Sequence, residues 1–198
     1  SRGLGDVYKR QVLLDRYRIK LVALLNNLLN KAMIEVMESA LQKAAGEGMD
    51  EFIQVFTDKY KEVIGGELTA DTMPLLTGEQ HSLLAYQIFR DEIMVGGFCQ
   101  LIQNGYGGYI FDNPFAKVMR LWGAEEFSKL VYKAKKIFDS NRKDLEKERT
   151  DDEFMAMYEQ YEAFDEIEEE YLDMEERVTA LIARYVDEHL ELFAKINE

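Results

Sequence analysis

Two histidines, one cysteine and 38 carboxylates are the side chains in this chain whose types could support chemistry. A structural zinc site takes three or four Cys or His ligands close together, and His81, His189 and Cys99 exhaust the supply. A di-iron bundle needs Glu-x-x-His pairs, and the positions three before His81 and His189 hold Gly78 and Val186. No alternating Asp/Asn loop with a central glycine offers a calcium site. Cys99 has no disulfide partner within the chain and follows Phe98 in an apolar run, so it reads as a small buried hydrophobe without an activating base. His189 lies near the end of an acidic helix, where a cation suits the dipole. No metal, no cofactor and no catalytic role are expected.

The carboxylates carry a different message through their distribution. The formal net charge is −14. From Asp144 to Glu198 there are 20 acidic and 5 basic residues, a net of −15, while residues 1–143 sum to +1. Within the acidic third, Met157, Tyr161, Phe164, Ile167, Tyr171, Met174, Val178, Leu181 and Tyr185 recur at steps of three and four, an apolar helical seam. Glu159, Glu162, Glu166, Glu169, Asp173 and Glu176 follow the same rhythm two residues out of phase. Two residues turn a helix by about 200°, so these six line the opposite face along about 25 Å. Adding Asp165, Glu168, Glu170 and Glu175 raises the density to that of DNA phosphates, one per 3.4 Å on each strand. Like charges so spaced repel, each pair costing a few tenths of a kcal/mol. One reading is a solvated face that keeps the helix in water. The other is a surface that imitates the DNA backbone and fills the basic groove of a DNA-binding protein. Direct binding to nucleic acid is not expected from a chain of this charge.

The elements that must position these groups are helical. Two prolines, 31% charged residues and no alternating runs between hairpin turns give an all-α fold, a single-domain bundle of about seven to eight helices with an acidic C-terminal region. The best strand candidate is Gly108–Phe111. A helix is expected from Met33 to about Ala45, then a second, capped by Asp50, with an apolar stripe of Phe52, Val55, Phe56, Tyr60 and Val63. Thr77 and Gln80 have capping-box spacing and open a helix to about Met94. Asn113-Pro114 starts another that ends near Trp122-Gly123, and one more covers about Ala124–Ser140. Residues 1–11 read as a linker scar, and residues 12–32 either as a native helix or as read-through ahead of Met33, leaving 33–198 as the domain. No run of about 20 apolar residues spans a membrane, and the cytoplasm is the expected compartment.

The most distinctive string is Glu92, then Gly96-Gly97-Phe98, Gln100 and Asn104. Paired glycines between helical segments supply backbone angles closed to other residues, and Phe98 would plug the core beneath them. Gln100 and Asn104 share a helical face, able to bond either loop backbone or a ligand. With Trp122-Gly123-Ala124 and the tail Tyr185, His189, Phe193, this string resembles the bacterial DNA-mimic protein family over residues 77–193. Members commonly carry Asn before the two glycines, where this chain has Val95. The resemblance implies a helical bundle, a homodimer, and a basic DNA-binding partner, a transcriptional repressor held in competition with its operator. The alternative is an interaction or immunity-like module working through the Gly96–Asn104 corner, with the acidic face only solvating.

Overall fold

The computed structural model describes residues 34–198, so the expectations for residues 1–11 and 12–32 lie outside the described residues. In chain order the elements are β1 (Glu35–Met37), α1 (Glu38–Glu47), α2 (Met49–Val63), α3 (Gly78–Gln103), α4 (Gly107–Phe111), α5 (Phe115–Leu121) and α6 (Glu125–Leu145). They continue with α7 (Asp151–Gln160), α8 (Asp165–Glu188), α9 (Leu190–Phe193) and β2 (Lys195–Asn197). The fold is all-α in class, with nine α-helices among the described residues.

Capping chemistry fixes where two of these helices begin. Thr77 Oγ1 accepts from the Gln80 N–H at 3.2 Å, and Gln80 Oε1 accepts from the Thr77 N–H at 2.9 Å. Thr150 and Glu153 repeat the device at the start of α7. Gln80 also reaches inward, where its amide and the Tyr60 hydroxyl both donate to the Phe193 carbonyl at 2.9 Å. This ties α2, α3 and α9 at one carbonyl. Farther along α3, Phe89 meets Phe98 at 5.7 Å, Phe127 of α6 at 5.0 Å and Tyr171 of α8 at 5.1 Å between ring centres. Edge-to-face aromatic pairs of this kind add about 0.5–1.5 kcal/mol beyond burial. The buried hydrophobic residues form one continuous cluster.

Several local expectations are corrected. Gly108–Phe111 is helical within α4, not a strand. The strands lie elsewhere: β1 and β2 pair in parallel with Val36 opposite Ile196, so the helix expected from Met33 begins at Glu38. Asp50 sits in the first turn of α2, whose N-cap is Gly48. Val63 is exposed, and Ile53 and Ile64 fill the α2 stripe instead. Pro114 occupies the cap position of α5, while the Asn113 amide donates back to the Tyr109 carbonyl. The acidic helix is not continuous. α7 ends at Gln160, residues 162–164 form a 3-10 turn, and α8 starts afresh at Asp165.

α6 and α8 run antiparallel. Lys133 bonds Glu170 at 2.6 Å and Arg177 bonds Glu126, so rising numbers on α6 meet falling numbers on α8. Tyr161 donating to Asp144 at 2.6 Å extends the same register to the α7 corner.

Candidate functional site

The break at Tyr161 divides the acidic face into parts. Glu159 is on α7, Glu162 on the 3-10 turn, and Glu166, Glu169, Asp173 and Glu176 on α8. At 1.5 Å per residue the α8 part runs for about 15 Å, one carboxylate per roughly 5 Å. All six side chains are exposed. None of them has an ion pair or hydrogen bond among the described residues. Behind them Met157, Tyr161, Phe164, Ile167, Tyr171, Met174 and Val178 are buried, whereas Leu181 and Tyr185 are only half-buried.

Three of the carboxylates that brought the local density up to that of DNA belong to the fold instead. Glu168 turns under the corner and accepts the Phe98 N–H at 2.7 Å. Glu175 is buried and receives Arg90 of α3, whose other arm reaches Asp50 at 3.2 Å, and Thr179 donates to it at 2.9 Å. Glu170 is taken by Lys133. The exposed strip is therefore sparser than one strand of DNA. The sequence counts charges but cannot show that a partner some 70 residues away draws one inward.

The double-glycine corner kinks α3. Gly97 has φ +68° and ψ −166°, a region essentially closed to other residues. A Cβ there would stand 2.6 Å from the Glu168 carboxyl carbon. Burial pushes the Glu168 carboxyl above its ordinary range, while the hydrogen bond from Phe98 holds it down in part. Tyr158 donates to the Gly96 carbonyl at 3.0 Å. Across the kink, Glu92 accepts from the Gln100 amide at 2.9 Å and from the Asn104 amide at 2.8 Å. The polar members of the distinctive string are thus engaged with one another as a clip between the two halves of α3. Phe98 is fully buried, stacked on Phe164 at 4.9 Å. Val95 is 78% exposed. Burial pushes the Cys99 thiol up to about 12, with Glu168 and Asp165 adding to it.

One feature escapes a charge count taken over residues 1–143 as a whole. Lys129, Lys133, Lys136 and Lys143 recur at three-, four- and seven-residue steps and form a ridge on α6, alongside the acidic strip of α8. Lys129 pairs with Glu125 and Lys133 with Glu170, while Lys136 and Lys143 have no ion pair among the described residues. No cluster of three His, Cys, Asp or Glu able to hold a metal occurs among the described residues. No described helix is long and apolar enough to cross a membrane.

Comparison with known proteins adds an independent line. A family model described as DMP19-like protein matches residues 74–189. The chain is also similar to the DNA mimic protein DMP19 of Neisseria meningitidis serogroup B (strain ATCC BAA-335 / MC58). The two are 30% identical over 129 residues, covering 65% of this chain and 78% of that protein.

Proposed function

The chain belongs to the DMP19-like protein family, and on that premise we propose that it is a non-enzymatic DNA mimic. Its C-terminal acidic face, Glu159, Glu162, Glu166, Glu169, Asp173 and Glu176, occupies the basic groove of a DNA-binding transcriptional regulator and competes there with DNA. One observation carries this reading. The six carboxylates stand exposed and unpaired among the described residues, while Glu168, Glu170 and Glu175 between them are engaged by the fold.

An uncompensated anionic strip is a weak helix and a good electrostatic template. Cations on a DNA-binding groove are arranged for phosphates, and a strip of carboxylates presents complementary charge to the same groups. Association is then steered by long-range attraction and weakens as salt screens it. The similarity to a named DNA mimic supports this assignment, and the family's name alone identifies no regulator. The corner does not favour the alternative interaction-module reading, since Glu92, Gln100 and Asn104 bond each other.

The test is retention of a purified DNA-binding regulator on the immobilised chain, followed by elution with duplex DNA. Elution by the duplex and by salt supports mimicry. A regulator that stays bound while saturated with its duplex overturns it.

A further inference from the structure

The acidic strip of α8 has an apolar edge where that helix meets α3. Arg90 bonds Glu175, Tyr86 bonds Thr179 at 2.7 Å, and the Phe98 N–H donates to Glu168 at 2.7 Å. Rising numbers on α3 thus meet falling numbers on α8, and the levels of the two helices are tied. Met94 lies four residues from both Arg90 and Phe98, and Leu172 lies four from Glu168 and three from Glu175. Both therefore stand on the stripes that face each other, at one level. Yet Met94 is 49% exposed and Leu172 53%, so they line a seam open to water.

Carboxylates flank this seam on both sides. On α8, Glu169 and Glu176 are three and four residues from Leu172 and share its side of the helix. On α3, Asp91 is three residues from Met94, exposed, and accepts from the Gln87 amide at 2.7 Å. It has no ion pair among the described residues. The cations of these helices are occupied: Arg90 by Glu175 and Asp50, Arg177 by Glu126, and Arg184 by Glu188. α7, whose Tyr158 donates to the carbonyl next after Val95, holds neither Lys nor Arg.

We propose that this seam receives one face of a basic amphipathic helix from a partner protein. Apolar side chains of that helix, at three- and four-residue spacing, cover Met94 and Leu172, and its Lys or Arg residues on either flank meet Asp91, Glu169 and Glu176. The docking stands on the geometry of the seam; that the helix belongs to a DNA-binding regulator rests on the mimicry reading. A phosphate backbone has no apolar counterpart to this contact. The carboxylates steer any polycation toward the face, and the seam selects among them the one with an apolar ridge.

The probe is a synthetic helical peptide of leucine and lysine, its leucines at three- and four-residue steps, compared with oligolysine of equal charge by titration onto the full chain. The leucine–lysine peptide should bind about tenfold or more tighter at about 0.1 M salt. Met94→Ala with Leu172→Ala should weaken that peptide by about tenfold and leave oligolysine unchanged. The factor should persist at about 0.3 M salt, whereas the loss caused by Asp91→Asn with Glu169→Gln should shrink. Circular dichroism verifies that each variant is folded, and Leu172→Gln, which keeps the length of the side chain, repeats the test alone. Equal affinity for the two peptides overturns the proposal, and so does a folded seam variant that binds the leucine–lysine peptide like the native chain. A seam variant that loses oligolysine equally does the same. If these substitutions instead dissociate a native dimer, the occupant is a second copy and the proposal also falls. Peptide binding that behaves as described, with a regulator that duplex DNA does not displace, would retain this inference and remove the mimicry reading.

Discussion

Glu169→Gln, Asp173→Asn and Glu176→Gln, made together, should stabilise the fold while weakening whatever the acidic strip binds. The substitutions lie in the middle of α8, away from the first turn where carboxylates favour the helix dipole. Leaving out Glu170–Asp173, where the Glu170 charge is taken by Lys133, they remove four like-charge pairs at three- and four-residue spacing: Asp165–Glu169, Glu166–Glu169, Glu169–Asp173 and Asp173–Glu176. They also remove one opposite-charge pair, Asp173 with Arg177, and Arg177 is already bonded to Glu126. At about 0.2–0.5 kcal/mol per exposed helical pair, the net of three gives about 0.6–1.5 kcal/mol of added stability. For a chain of this size that raises the melting temperature by about 1–6 °C. No compensating loss is expected, because none of the three side chains bonds another described residue. Thermal unfolding followed by circular dichroism at about 0.1 M salt measures it, and the gain should vanish near 1 M, where screening is nearly complete. A triple variant less stable than the native chain would refute the reasoning, since these carboxylates would then be holding the structure together.

Gly97→Ala should lower stability by about 2.5–6 kcal/mol in chemical denaturation. The strained backbone contributes about 1–3 kcal/mol and the displaced Glu168–Phe98 hydrogen bond about 1.5–3 kcal/mol. Glu168 has a folded-state pKa raised by burial, so the folded chain holds that proton more tightly than the unfolded one. Its contribution is therefore unfavourable once pH exceeds the folded value, and it fades as pH falls below the unfolded value. Glu168→Gln should flatten the loss of stability between pH 4.5 and neutrality, and denaturant midpoints across that range will show it. The Cys99 thiol, buried and pushed up to about 12, should react with a thiol reagent at neutral pH only as fast as the chain unfolds.

The sequence is legible where a signal is local. Thr77 and Gln80 announce a capping box that the structure contains, and Gly96-Gly97 announces the kink of α3. Thr150 and Glu153 carry the same box at the same spacing. The break at Tyr161 is invisible to periodicity. Tyr161, Phe164 and Ile167 keep three-residue steps through a 3-10 turn, so the apolar seam continues although the helix does not. Strand β1 is equally hidden, because Glu35–Met37 acquires its character from pairing with Lys195–Asn197 at the far end of the chain. Within the candidate face, the steps of three and four place Glu166, Glu169, Asp173 and Glu176 together on α8. They give no hint that Glu168 serves Phe98 or that Glu175 serves Arg90, since both partners are distant in sequence. The lysine ridge is readable from the spacing of Lys129, Lys133, Lys136 and Lys143 but disappears in a charge total over 143 residues.

Mimicry is decided most directly by the anisotropy of a labelled duplex bound to its regulator as the chain is titrated in. A fall to the value of free duplex is expected at about 0.1 M salt, with a midpoint that rises about tenfold or more for the Glu169, Asp173 and Glu176 triple variant at the same salt. An anisotropy that stays high while the chain saturates the regulator, the three forming one complex, would contradict it.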